Sequence, residues 1–149
     1  MNIKKLLLLS GILIFACTSD TNKSHESWLF VHTAGTAQVT NSTTIIMPLT
    51  RDIFAFTDRP YRKHLYLNGK KYASLWGTDE TNSFKTDPPN AVLTWVDGDQ
   101  IKELDVIITN ATFNEGNLTY LIKDKFRIPV ENIQNVSLFV DLGGLGFAN

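Results

Sequence analysis

Ala91-Val92-Leu93-Thr94-Trp95-Val96, then Asp97-Gly98-Asp99, then Ile101 to Asn110, is the stretch that decides the fold. The first run is β-branched and aromatic, the composition of a strand. Asp97-Gly98-Asp99 reads as a tight turn. In the second run Leu104, Val106 and Ile108 alternate with Asp105, Ile107 and Thr109, the period-two sign of a half-buried strand. Together they predict an antiparallel hairpin.

The same grammar continues in both directions. Downstream, Asn114-Glu115-Gly116-Asn117 reads as a turn and Leu118 to Ile122 as a strand. Ile128-Pro129-Val130 links to a last strand over Val136 to Asp141. Upstream, Asp87-Pro88-Pro89-Asn90 punctuates the chain, because proline cannot donate to a ladder. Trp28 to Val31, Thr36 to Thr40 beyond a turn at Gly35, Thr43 to Met47, Asp52 to Thr57 and Tyr61 to Leu67 read as further strands. Asn68-Gly69 reads as a turn. Tyr72, Leu75 and Trp76 stand at i, i+3 and i+4, which predicts one short helix over Lys71 to Trp76, stopped at Gly77. About eight strands and one short helix predict an all-β fold: a single β-sandwich, with a small closed barrel as the alternative.

Composition narrows the function classes. The chain has 149 residues, enough for one domain with a real core and too few for two. Its net charge is −1, from 14 basic and 15 acidic residues, so it lacks the basic footprint of a nucleic-acid binder. A single cysteine excludes an internal disulfide. His25, His32 and His64 have no short ligand spacing, and zinc usually needs three or four ligands, so no metal and no cofactor is expected. There is no G-x-S-x-G elbow for a serine nucleophile. The role expected is therefore non-enzymatic.

The N-terminus carries an address. Met1-Asn2-Ile3-Lys4-Lys5 is a short basic segment, and Leu6 to Phe15 is apolar but too short to span a bilayer. Ile14-Phe15-Ala16-Cys17 resembles the lipobox of bacterial lipoproteins. The resemblance implies a signal peptide over 1–16 and lipidation of Cys17, the only thiol. Two or more acyl chains would anchor the protein stably in a membrane. Thr18-Ser19 after the cysteine, with no aspartate directly following it, favours the outer membrane, with the domain facing the periplasm or the surface. Thr18 to Ser27, with His25, is polar and reads as a tether, so 17–27 forms the leash, 28–141 the domain and 142–149 a flexible tail.

A wider resemblance rests on four segments in order. They are Trp28-Leu29-Phe30-Val31-His32-Thr33-Ala34, Phe56-Thr57-Asp58-Arg59-Pro60, Asn82 to Ala91 (NSFKTDPPNA), and Val136 to Asp141 (VSLFVD). They resemble a family of small exported proteins, mostly bacterial, with the pattern F-V-Q-T-A, F-S-D-R-P, D-S-F-A-x-D-P-P-N-A and V-S-L-F-I-D. The resemblance covers nearly all of 28–141 and implies export and a shared fold, but no reaction. His32 stands where the pattern has glutamine.

The polar candidates lie at strand junctions. Asp58, Arg59, Asp87 and Asn90, beside His64 and Trp76, are expected to meet at one end of the sheets. They form either a buried clasp, with Arg59 paired to Asp87 or Asp58, or a pocket for a small molecule or glycan. A cis bond at Pro88-Pro89 would fix the approach. Trp76, next to Gly77, is the tryptophan expected to expose its ring. A hydrolase built on Asp58 or Asp87 is a third reading. Beyond the membrane itself, another envelope protein is the partner expected.

Overall fold

The computed structural model describes residues 26–77, 83–123 and 131–142. Cys17, most of the tether and the glycine-rich tail lie outside these residues. The fold is all-β, with eight strands and one short helix, as the alternation predicts. The strands are β1 (Trp28–Asn41), β2 (Thr44–Pro48), β3 (Ile53–Thr57), β4 (His64–Leu67), β5 (Asn90–Asp97), β6 (Gln100–Asn114), β7 (Asn117–Ile122) and β8 (Asn132–Asp141). They form one antiparallel sheet in the order β2-β7-β6-β5-β8-β1-β3-β4, and β2 also pairs with β1. That extra pairing joins what would be the two walls of a sandwich into a ring of six strands around one core. The β3–β4 hairpin extends from the first half of β1.

Closing the ring requires β1 to change neighbours. Trp28 to Val31 pair with β3, whereas Gln38 to Asn41 pair with β2. The turn expected at Gly35 is instead a change of phase inside one 14-residue strand. Trp28, Phe30, His32 and Ala34 point inward before Gly35, and Ala37 and Val39 after it. β8 flips at the facing position, where Asn135 has φ +48° and bulges against β5. Bulges bend a strand and raise its twist, which is what a closed sheet needs.

The two hairpin turns follow their sequences. Gly98 (φ +60°) takes the first position of the two-residue β5–β6 turn, which favours glycine. Glu115 and Gly116 both have positive φ between β6 and β7, as a type I′ turn requires.

One end of the ring is plugged by α1 (Gly69–Ala73) and a 3₁₀ turn over Ser74–Trp76. Asn68-Gly69 starts this helix rather than forming a hairpin turn. The Asn68 side chain accepts from the Lys71 N–H at 2.9 Å and caps the helix. Gly69 lies against β6, where an added Cβ would collide with the Phe113 ring. Gly69→Ala is therefore expected to cost about 1–3 kcal/mol by overpacking, seen as a lower urea midpoint at unchanged slope. Leu142, the first residue beyond the expected end of the domain, belongs to the core. It is buried, and its N–H donates to the Trp28 carbonyl at 2.9 Å.

Candidate functional site

The six polar candidates do not form one site. Asp58, Arg59 and His64 line a hollow beside the β3–β4 hairpin, together with Phe54, Arg62 and Lys63. Asp87 and Asn90 line a different hollow of about 150 Å³, with Phe84 and Asp141. Asp58, Arg59, Asp87 and Asn90 are all exposed. Arg59 pairs with neither aspartate side chain; its own N–H donates to Asp58 Oδ1 at 2.6 Å, closing a local turn. The buried clasp is thus replaced by two separate solvated turns. The cis peptide lies at Arg59-Pro60, not at Pro88-Pro89. The hollow of about 150 Å³ at Asp87 is by itself below the 300–1,000 Å³ usual for ligand sites. Arg59→Ala is expected to change stability by no more than about 0.5 kcal/mol, leaving the thermal midpoint within a few degrees of the parent.

Trp76 is likewise in the core rather than on the surface. It is 3 % exposed, and its Nε1–H donates to the Ile108 carbonyl at 3.1 Å. Its ring lies 4.7 Å from Phe84 and 5.3 Å from Tyr72, centroid to centroid. Tyr72 in turn meets Phe30 at 5.5 Å. These aromatics are how the helical plug grips the barrel.

Beside them sits a buried polar pair that the candidate set did not include. His32, 2 % exposed, faces inward from β1. Its Nδ1 lies 2.8 Å from the Tyr120 hydroxyl and its Nε2 3.1 Å from the Pro48 carbonyl. A carbonyl can only accept, so Nε2 carries the proton and Nδ1 accepts from Tyr120. The imidazole therefore ties β1 to β2 and β7 across the interior. Burial holds its pKa down at about 4, against the opposing pull of the Pro48 hydrogen bond. Burial pushes both Tyr72 and Tyr120 upward. The two phenols are near enough to interact electrostatically, but the Tyr72 hydroxyl does not reach hydrogen-bond geometry. Neutral and enclosed, this cluster is suited to holding the core together rather than to exchanging protons with a substrate.

A larger concavity lies elsewhere, on the outside of the ring. Leu29, Val92, Ile107 and Phe139 contribute outward side chains to a groove of about 640 Å³, bordered by Asn90, Asp105 and Asp141. Register explains the surface around it. Tyr66, Phe54, Val31, Phe139 and Val92 stand side by side across β4, β3, β1, β8 and β5. The next row holds His64, Phe56 and Leu29. An antiparallel sheet with one face on the core normally turns polar residues outward. β1 does so beyond Gly35, with Thr36, Gln38 and Thr40, but its first half presents Leu29 and Val31.

Among the described residues no group of three or more His, Cys, Asp and Glu is placed to hold a metal ion. No helix among them is long and apolar enough to cross a membrane. Compared with known proteins, the chain matches no family model, no curated protein and no solved structure.

Proposed function

We propose that this chain is an exported, lipid-anchored binding protein of the bacterial envelope with a non-enzymatic, accessory role. The observation that carries the binding part is the apolar outer face of β3, β1, β8 and β5, with its groove of about 640 Å³. That volume suits a small ligand or an inserted partner side-chain cluster. Contiguous apolar surface of this kind marks an interaction site more often than a solvated face. The lipid anchor rests on the N-terminal segment, with Cys17 acylated and the polar leash presenting the domain at the membrane. A glycan-binding role for Asp58, Arg59, Asp87 and Asn90 is less favoured, because Asp58 and Arg59 line one hollow and Asp87 another.

The groove is tested with an environment-sensitive apolar dye. The parent protein is expected to bind it saturably. Val92→Glu, which places a charge on the groove wall, is expected to abolish that binding with little change in melting temperature. A dye that does not saturate, or that binds the Val92→Glu protein equally, removes the groove as the binding element.

A further inference from the structure

The corner where β3 and β4 meet the end of the tether combines three features. First, it gathers aromatic rings on the outside of the sheet. Phe54 stacks on Phe56 at 5.7 Å and meets Tyr66 at 5.2 Å and His64 at 6.4 Å. Tyr66 is 63 % exposed and Tyr61, in the preceding loop, 38 %. Second, cations rim the same surface: Arg59, Arg62 and Lys63 line one hollow with Phe54 and Phe56. Thr57 fixes the loop that carries them, its hydroxyl accepting from the Lys63 N–H at 2.8 Å and its own N–H donating to the Lys63 carbonyl at 2.9 Å. Third, the tether arrives here. Lys63 Nζ lies 3.0 Å from Glu26 Oε2, so the N-terminal end of the domain is pinned to this corner.

Glu26 is nine residues from Cys17. However those residues are arranged, they reach no further than about 30 Å at 3.3–3.6 Å each. An acylated Cys17 therefore keeps this corner within about 30 Å of the lipid headgroups. Amphipathic aromatics and cations with apolar stems are the side chains that settle at such an interface. Of the charges at the corner, Arg59, Arg62 and Lys63 outnumber Asp58 and Glu26, which suits an anionic surface.

We propose that the β3–β4 corner is a membrane seat: it docks against the anionic phospholipid headgroups of the membrane that holds the N-terminal anchor. This rests on the reading of Cys17 as the anchor. Aromatic rings and a cationic rim add a second, reversible attachment to the acyl chains. The domain is then oriented with β4 toward the lipid and the groove at Phe139 and Val92 opening beside the headgroup layer, with Asp105 on its far side.

The test separates the seat from the anchor. Residues 18–149 lack the acylation site, yet every described core residue lies between Trp28 and Leu142, so the core remains whole. This chain is floated with vesicles of phosphatidylcholine alone and of mixed phosphatidylglycerol and phosphatidylcholine. The expected result is flotation with the mixed vesicles only, weakened by added salt, which screens exposed charge. Each Lys or Arg near an anionic surface is worth about 1 kcal/mol, a factor of about five. The double variant Arg59→Glu/Arg62→Glu is thus expected to lose at least about tenfold in vesicle affinity while keeping its melting temperature. Tyr66→Ser should weaken flotation on its own. Equal partition to both vesicle types, or an unchanged double variant, overturns the seat. An unacylated Cys17 in the native protein would remove the anchor but leave this vesicle result standing.

Discussion

Replacing His32 by leucine is expected to lower the stability of the domain by about 2–4 kcal/mol, and to remove a component of its acid sensitivity. The loss of stability follows from what leucine leaves behind. The Tyr120 hydroxyl and the Pro48 carbonyl both lose their partner in the interior. An orphaned buried polar group costs about 1–3 kcal/mol, and the added apolar burial offsets only part of that. His32→Gln, which offers one donor and one acceptor from a single amide, should lose less than His32→Leu.

The acid sensitivity has a definite sign. Unfolded His32 takes a proton near pH 6.5, whereas the folded form resists until about pH 4. Across that window the unfolded state binds more protons, so stability falls as pH falls. The contribution is fully present above pH 6.5 and lost by about pH 4. At about 1.4 kcal/mol per pH decade, it amounts to about 3 kcal/mol. Urea unfolding at neutral pH and near pH 4 reads it directly. The parent should lose about 3 kcal/mol more over this range than the His32→Gln protein. Equal losses in both would mean that His32 is not held neutral.

The second large effect belongs to Trp76. Trp76→Ala removes a buried ring packed on Tyr72 and Phe84 and orphans the Ile108 carbonyl. Truncating a buried aromatic typically costs about 3–5 kcal/mol, a large share of the 5–15 kcal/mol that holds a domain folded. A fall in melting temperature of more than about 10 °C is expected, with loss of near-ultraviolet circular dichroism from the aromatic cluster. Trp76→Phe retains most of the packing and loses the indole N–H, so it should cost less than half as much. A Trp76→Ala protein as stable as the parent would show that the helical plug does not depend on this ring.

Much of the fold is written in local pattern. The Val92–Trp95 run, Gly98 and the alternation around Val106 give the β5–β6 hairpin directly. Tyr72 and Trp76 mark the buried side of the helix through their spacing. What local pattern does not carry is the pairing of distant strands. β1 meets both β3 and β2 because its inward phase shifts at Gly35, and a turn and a phase shift share the same glycine signal. The candidate site failed for a related reason. Asp58-Arg59-Pro60 and Asp87-Pro88-Pro89-Asn90 stand out as polar punctuation, but their separation depends on which strands adjoin, and the topology sends them to different hollows. His32 carried a usable signal. It occupies an inward position in the alternation Trp28, Phe30, His32, Ala34, where a titratable side chain must find buried partners. The apolar outer face was legible too, since Leu29, Val31, Phe54, Phe56, Val92 and Phe139 all fall on the phase opposite to the core.

Membrane attachment through Cys17 underlies the proposed role, and one measurement reaches it without intermediaries. The intact mass of the protein extracted from membranes should equal residues 17–149 with a diacylglyceryl group on the Cys17 thiol, with or without a third acyl chain on its amine. A mature chain that begins elsewhere, or that retains Cys17 as a free thiol, would contradict the account.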